Sequence, residues 1–352
     1  MKRAFGLIAL ATLAACEPGA KESVQVGYRG VGQEINYDRS KLKEIAAANV
    51  APPPLAPASV PSPPANWQNV QVLTDVSANE MNRTMLAMTN WVSPKEGCNY
   101  CHNPANFASD EKYQKVASRR MLEMTRYINN EYKSHVQGTG VTCYSCHRGN
   151  NVPQYGLWSF TNEDQWQRAY LDRPDVRVQS LGVKPTNVNR SSIKQTENTY
   201  ALMIDVSSAL GVNCTYCHNS RAWASWQNAP PARITGMYGF RMVRDINSTY
   251  VASLNTTLPA TRLGVHKDAP KVSCMTCHQG AYKPLLGAQM AKDYPGLWGA
   301  TSWTRGGAGD TVSKGFIDLR KADSTASDGA PILKPEFAHP LPAPVRTKAG
   351  GN

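Results

Sequence analysis

The chain has 352 residues, of which 41% are hydrophobic and only 8% aromatic, and this length is enough for two modest domains or one large one. Its formal charge of +12 would ordinarily suggest nucleic acid, anionic lipid or an acidic protein as a partner. The nine Cys are more informative. Each belongs to a recognisable local pattern, which argues against an ordinary disulfide scaffold.

The N-terminus is typical of a bacterial lipoprotein. Lys2 and Arg3 precede an apolar stretch that is too short to span a bilayer, so residues 1–15 are predicted to be a signal peptide. This segment ends in Leu-Ala-Ala followed by Cys16, a lipobox pattern in which the Cys sulfur receives the lipid. Acyl chains on Cys16 would anchor the mature chain to a membrane surface. Residues 16–66 are rich in Pro near their end and are expected to be an anchored, extended segment.

The remaining eight Cys form four Cys-x-x-Cys-His motifs. This pattern is the attachment motif of c-type haem, because two closely spaced thiols reach the two vinyl groups of one porphyrin and the adjacent His binds the iron. A zinc or dithiol site needs the Cys pair but not the His, so four repetitions of the His favour haem. The sequence therefore predicts four covalent haem c groups, held by Cys98, Cys101 and His102, by Cys143, Cys146 and His147, by Cys214, Cys217 and His218, and by Cys274, Cys277 and His278.

An internal repeat indicates how the chain is organised. Residues 120–129 before the second motif resemble residues 241–247 before the fourth, and residues 84–88 before the first motif resemble residues 200–204 before the third. Each segment is predicted to be an amphipathic helix followed by a turn and a haem motif. The expected fold is mainly α with long loops, with two pseudo-symmetric dihaem halves packed around four haems. The first half spans residues 67–160 and the second 196–300, with a connector at 161–195 and a C-terminal extension at 301–352.

A haem that only carries electrons needs a sixth ligand, Met or His, on its iron. Only three His lie outside the motifs, so Met must serve at least once. Repeat symmetry alone favours Met242 for the fourth haem, and it leaves His135 unassigned. The candidates are Met85, Met88, Met121, Met124, Met203, Met242, His135, His266 and His339, of which His266 is expected on the surface and His339 in a solvated tail.

The four motifs, the lipobox, residues 119–126 and 134–143, and residues 210–219 and 281–295 together resemble the tetrahaem cytochrome subunit of purple bacterial photosynthetic reaction centres. The resemblance covers roughly residues 67–297. It places Arg233 near the third haem. It also implies His135 rather than Met242 as the fourth haem's ligand, and the full axial pairs it implies are Met85 with His102, Met121 with His147, Met203 with His218, and His135 with His278.

The resemblance implies an electron carrier rather than an enzyme. The chain would lie on the periplasmic face of the photosynthetic membrane, bound to the L and M subunits with H in the same complex. It would accept electrons from a soluble cytochrome c or high-potential iron-sulfur protein and deliver them to the photo-oxidised bacteriochlorophyll special pair, with the third haem facing that pair. The Trp-containing C-terminal extension is expected to lie on neighbouring subunits or the light-harvesting ring.

Two other functions are open to a multihaem lipoprotein. A multihaem reductase would need one five-coordinate haem, whereas every haem here has a candidate sixth ligand. A respiratory electron conduit is usually bis-His throughout, which three spare His do not allow. No nucleic-acid partner is expected, because removal of the signal peptide and addition of eight haem propionates would bring the formal charge close to neutral.

Overall fold

The computed structural model describes residues 21–27, 33–58, 67–156, 165–171, 193–223 and 228–300. The predicted signal peptide, Cys16, most of the connector and the C-terminal extension lie outside these ranges. Within them the protein is mainly helical with long loops, as predicted. The strands are β1 (Lys21–Gln25) and β2 (Glu34–Asp38), and the helices are α1 (Arg39–Ala48), α2 (Ala78–Val92), α3 (Tyr113–Glu131), α4 (Lys133–Val136), α5 (Cys143–His147), α6 (Ile193–Leu210), α7 (Ala232–Asp245) and α8 (Cys274–His278).

Short 3₁₀ and π-helical turns form many of the connections. A π-helical turn at Ile246–Val251 continues α7 without a break, and a 3₁₀ turn at Ala252–Thr256 follows it. The other 3₁₀ turns are Gly97–Tyr100, Gln165–Tyr170, Cys214–Tyr216, Ala260–Arg262, Pro284–Gly287, Met290–Asp293 and Pro295–Trp298.

Helix α2 shows how the sequence sets an element and its buried face. The Ser77 side chain accepts a hydrogen bond from the Glu80 backbone N–H, which caps the first turn. Met81, Ala87 and Trp91 are buried on one face of the helix. The helix ends at Val92, two residues before Pro94, where the residue preceding the proline leaves helical geometry.

Three apolar clusters form the core. The first surrounds α2 and includes residues from the far end of the described chain, such as Tyr294 and Leu297. The second joins α3 to α7, and the third joins α6 to α7 and to the turn at 165–170. Leu297 is fully buried although it lies more than 200 residues from α2, so the C-terminal part of the described chain packs back onto the first half.

The N-terminal segment has more structure than the expected extended segment at 16–66. Strands β1 and β2 pair antiparallel, with Lys21 opposite Asp38 and Gln25 opposite Glu34, and α1 follows directly. Within 51–58, which has no regular structure, the backbone is held on the body of the protein. The buried Arg83 donates to the carbonyls of Leu55 at 2.9 Å and Ala56 at 2.8 Å, so this stretch is packed rather than a free spacer.

Among the helices of the described ranges, none combines the length and the apolar composition needed to cross a bilayer.

Candidate haem sites

The four predicted haem motifs adopt two alternating local structures. The first and third motifs form 3₁₀ turns at Gly97–Tyr100 and Cys214–Tyr216, whereas the second and fourth are the short helices α5 and α8. In the two helical motifs a hydroxyl residue precedes the second Cys. Ser145 Oγ accepts from the Thr142 backbone N–H at 3.0 Å, and Thr276 Oγ1 accepts from that of Ser273 at 2.9 Å, which fixes the first turn of each helix.

Each motif His uses Nδ1 to bind a backbone carbonyl just downstream. The four acceptors are Phe107 O (3.3 Å, from His102), Asn150 O (2.9 Å, from His147), Trp223 O (3.2 Å, from His218) and Ala281 O (3.0 Å, from His278). A carbonyl can only accept, so Nδ1 carries the proton and Nε2 keeps its lone pair. This is the arrangement of a metal-binding imidazole whose orientation is fixed by its outer hydrogen bond.

His135 has the same arrangement and faces His278. Its Nδ1 donates to Thr235 O at 2.9 Å, and its ring centroid lies 6.1 Å from that of His278 at an interplanar angle of 67°. Two imidazoles would have centroids about 6 Å apart if they bound one metal from opposite sides, each with its nitrogen about 2 Å from the metal. Burial lowers the pKa of His135. Burial also lowers the pKa of His278 to about 4, with a further contribution from His135, so both rings are neutral and able to bind a metal.

His135 does not lie on the helix that carries Met121. Helix α3 ends at Glu131, and Tyr132 leaves helical geometry with φ −107° and ψ 31°. His135 lies on the separate short helix α4. The break turns the chain toward α7, whose Thr235 carbonyl receives the imidazole hydrogen bond.

The three Met that the resemblance pairs with haem lie half-buried on α2, α3 and α6. Met85 and Met121 share a local pattern, because Thr89 and Thr125, four residues on, donate to their backbone carbonyls at 2.9 Å. The Thr89 hydroxyl also lies 4.0 Å from Cys98 Sγ, which places the Met85 turn beside the first motif. Met203 packs against the apolar cluster that Cys274 also contacts.

The other candidate Met lie in the same apolar clusters as Met85 and Met121. Met242 is only 7% exposed and packs with Tyr127, Ile128 and Tyr132 in the second core cluster, which is the environment of a packing residue. His266 is exposed, as expected. His339 lies outside the described residues, and Met88 and Met124 are half-buried beside the first and second clusters.

The second and fourth motifs meet. Cys146 Sγ lies 2.6 Å from Cys277 Sγ, although the two residues are 131 positions apart. Arg148, directly after His147, bridges the two motifs by donating to Ser145 O at 3.2 Å and to Cys277 O at 2.9 Å. The Cys that are predicted to attach the second and fourth haems are therefore adjacent.

Two buried Asn, which motif spacing does not identify, hold the loops that lead into the second and fourth motifs. Asn129 donates to Val141 O at 3.0 Å and accepts from Val141 N at 2.7 Å. Asn247 does the same with Val272, at 2.9 and 2.7 Å. Each Val lies two residues before the first Cys of its motif. The internal repeat does carry a signal, because both Asn follow an Ile at matching positions in it.

A glycine on α7 is likewise not identified by motif spacing. Gly239 is buried against His135, and a Cβ at this position would lie 2.6 Å from the imidazole Cε1 and 2.9 Å from Nδ1. Glycine is therefore required here by the close approach of the ring. Periodicity gives no signal for such a contact, because it depends on how α4 meets α7.

Arg233 begins the first turn of α7, close to the third motif. Burial lowers the pKa of its guanidinium, and the nearby Cys217 opposes that shift. Burial also raises the pKa of the Cys217 thiol to about 11. The structure thus brings together Arg233 and the third haem motif, as the resemblance implies.

These groups fit haem c chemically, since each motif presents two thiols and a His with a free Nε2. The family described as "Photosynthetic reaction centre cytochrome C subunit" matches residues 17–174 and 162–298 of the chain. The chain belongs to this family. It is an electron-transfer cytochrome of the photosynthetic reaction centre, with covalently bound haem c, and it associates with the photosynthetic membrane through that complex.

Individual relatives agree. The photosynthetic reaction center cytochrome c subunit of Rubrivivax gelatinosus is 47% identical over 320 residues, covering 82% of this chain and 87% of the relative. The subunit of Thermochromatium tepidum is 45% identical over 320 residues, covering 83% and 79%. That of Roseobacter denitrificans is 35% identical over 334 residues, covering 83% and 89%.

Proposed function

We propose that this reaction-centre cytochrome binds four haem c groups with defined axial pairs and uses them as one electron relay. The pairs are Met85 with His102, Met121 with His147, Met203 with His218, and His135 with His278. Haem c supplies a one-electron iron couple at each position. The chain forms and breaks no substrate bond, so it acts as an electron carrier and not as an enzyme.

The single observation that carries this proposal is the geometry around His135. Its ring faces His278 at the spacing that a shared metal requires, while Met242 is packed among aromatic and aliphatic side chains. All five of these His, the four of the motifs and His135, present a free Nε2. A closed axial pair at every position leaves no open iron for a substrate, which favours transfer over catalysis.

The two dihaem halves, 67–160 and 196–300, are supported by contacts that repeat between them. The His to carbonyl spacing is five, three, five and three residues along the four motifs. The Asn129 and Asn247 contacts also repeat. The adjacent second and fourth motifs then form the junction at which electrons cross from one half to the other.

The relay would run from a soluble periplasmic donor, a cytochrome c or a high-potential iron-sulfur protein, to the photo-oxidised special pair. The chain would be anchored by lipid at Cys16 to the periplasmic face of the membrane and bound to the L and M subunits, with H in the same complex. Electrons would enter at the haem of the first motif and leave at that of the third, and the junction of the second and fourth motifs would lie between them on this path. The extension at 301–352 would contact neighbouring subunits or the light-harvesting ring.

The His135→Ala variant tests the ligand set against the alternative from repeat symmetry. It should leave one of the four irons five-coordinate, so the reduced protein should bind one equivalent of carbon monoxide, whereas wild type should bind none. In membranes, the same variant should slow rereduction of the special pair after a flash. The matched control is Met242→Leu, a volume-conserving change that costs less than about 1.5 kcal/mol and should leave all four irons closed.

The opposite pattern, with an open iron in Met242→Leu and none in His135→Ala, would overturn the assignment of His135. Rapid carbon monoxide binding by wild type would overturn the relay in favour of a haem enzyme.

A further inference from the structure

The carbonyl that orients His102 is shared with a buried lysine. Phe107 O accepts from His102 Nδ1 at 3.3 Å and from Lys115 Nζ at 2.8 Å. Lys115, on the first turn of α3, is only 8% exposed, and its ammonium also donates to Ser109 O at 3.0 Å. The Phe107 ring stacks on the imidazole with centroids 4.9 Å apart, so the carbonyl, the ammonium and the imidazole form one fixed group.

The charge of this lysine is only partly neutralised. Its anionic neighbour Asp110 lies 3.3 Å away and is 39% exposed at its side chain. The same carboxylate accepts two hydrogen bonds from Arg119, at 2.8 and 2.9 Å, and one from the Asn69 amide at 2.9 Å. One carboxylate therefore faces two cations, so it neutralises Lys115 only in part.

The other histidines with fully described surroundings lack this arrangement. The carbonyls of Asn150 and Ala281 accept from His147 at 2.9 Å and from His278 at 3.0 Å, with no Lys or Arg donor to either among the described residues. At the third motif the His218 bond is 3.2 Å, and residues 224–227, which follow its acceptor Trp223, lie outside the described ranges. Among the described residues, the ammonium donor to the shared carbonyl distinguishes the first motif from the second and fourth.

We propose that Lys115 is a positioning residue that raises the reduction potential of the first haem through the Phe107 carbonyl. A cationic donor binds a carbonyl more strongly than a neutral donor does. Because Lys115 binds Phe107 O in this way, the hydrogen bond from the imidazole N–H to the same oxygen is weaker. A weaker bond at Nδ1 makes the imidazole a less basic ligand, and this disfavours the oxidised iron. The inference rests on the proposed ligand pair Met85 and His102.

The test is a redox titration of the whole holoprotein that resolves four one-electron components. The Met85→His variant first identifies the component of the first haem, because replacing Met by His lowers a haem's potential. If no component moves in Met85→His, the ligand assignment fails, and that failure is separate from the inference about Lys115.

The Lys115→Met variant keeps an unbranched side chain, one heavy atom shorter, and removes both the charge and the donor. We expect it to lower the reduction constant of that same component about tenfold, which is about 59 mV for one electron, and to leave the other three in place. Lys115→Arg should restore most of the potential, which shows that the site still folds around a cation.

The matched control is Lys112→Met. Lys112 lies on the same segment and donates to Asn99 O, without contacting Phe107 O. The Lys112→Met variant also removes one positive charge near His102, but it leaves the hydrogen bonds to Phe107 O intact. We therefore expect a smaller shift in the reduction potential of the first haem. Equal shifts in Lys112→Met and Lys115→Met, or an unchanged or raised potential in Lys115→Met, would overturn the inference.

Discussion

Single residues set the geometry of the proposed iron ligands through groups outside the ligand set. His135 is held from one side by the Thr235 carbonyl and limited on the other by the bare Cα of Gly239, both on α7. Motif spacing predicts the two Cys and the adjacent His of each haem site, because the chemistry of haem attachment fixes that spacing, whereas His135 is implied only by the family resemblance. Neither the spacing nor the resemblance identifies Thr235 or Gly239, whose roles depend on a tertiary contact between α4 and α7.

Replacement of Gly239 by Ala is predicted to open one iron. Gly in a helix interior usually costs about 1 kcal/mol relative to Ala, so this change would normally be stabilising. Here the new Cβ would lie 2.6 Å from His135 Cε1 and displace the ring from its bond to Thr235. Loss of one low-spin haem signal in the electron paramagnetic resonance spectrum, together with carbon monoxide binding, would show this.

Gly236→Ala provides the control on the same helix, because a Cβ there meets nothing within 4 Å. It should leave the spectrum unchanged and stabilise the protein slightly. A Gly239→Ala protein with all four haems low-spin and no carbon monoxide binding would mean that His135 does not occupy this position when haem is bound.

At the scale of elements, the two buried Asn link each long helix to the loop that leads into a haem motif. Asn129 satisfies both backbone groups of Val141 and also donates to Leu297 O at 2.9 Å. Asn247 satisfies both groups of Val272 and donates to Tyr170 O at 2.9 Å. Each loop therefore reaches its motif with its backbone polar groups paired inside the protein.

Asn129→Ala and Asn247→Ala are each predicted to destabilise the protein by several kcal/mol. A buried backbone group left without a partner costs about 1–3 kcal/mol. Each variant leaves one such group, Leu297 O or Tyr170 O, and also the partly buried N–H and C=O of the Val. Urea unfolding of the holoprotein would measure the loss. Asn82→Ala is the control, since Asn82 is exposed on α2. A loss no greater than that of the control would show that water replaces the amide at these positions.

How far the sequence predicts these elements depends on the range of the interaction. The helices before the motifs were predicted because apolar periodicity and the repeat are local properties of the chain. The end of α3 before His135 was not, because the break at Tyr132 turns the short helix α4 toward α7. The hairpin β1–β2 and α1 were missed as well, since the Pro-rich stretch beyond them dominated the interpretation of residues 16–66.

At the scale of the whole molecule, the last described residues pack against helices from the beginning of the chain. Residues 293–300 lie in the predicted second half but pack on the predicted first half. Arg126 on α3 donates to Gly296 O at 2.7 Å and to Ala300 O at 3.0 Å, and the Trp91 and Tyr294 rings contact edge to face with centroids 4.7 Å apart. The first half therefore lacks part of its core until the end of the described chain has folded onto it.

This packing predicts which helices a core substitution destabilises. Leu297→Ala removes a fully buried side chain from the cluster around α2, at a cost of about 2–5 kcal/mol, and should raise amide exchange in residues 78–92 and 113–131. Leu202→Ala, equally buried in the cluster of α6 and α7, should raise exchange in residues 193–210 and 232–245 instead. Mass spectrometric hydrogen exchange on the intact holoprotein separates the two patterns. If Leu297→Ala raised amide exchange in residues 193–210 rather than in residues 78–92, residues 293–300 would stabilise the predicted second half instead. The predicted first half would then not depend on the end of the described chain for its core.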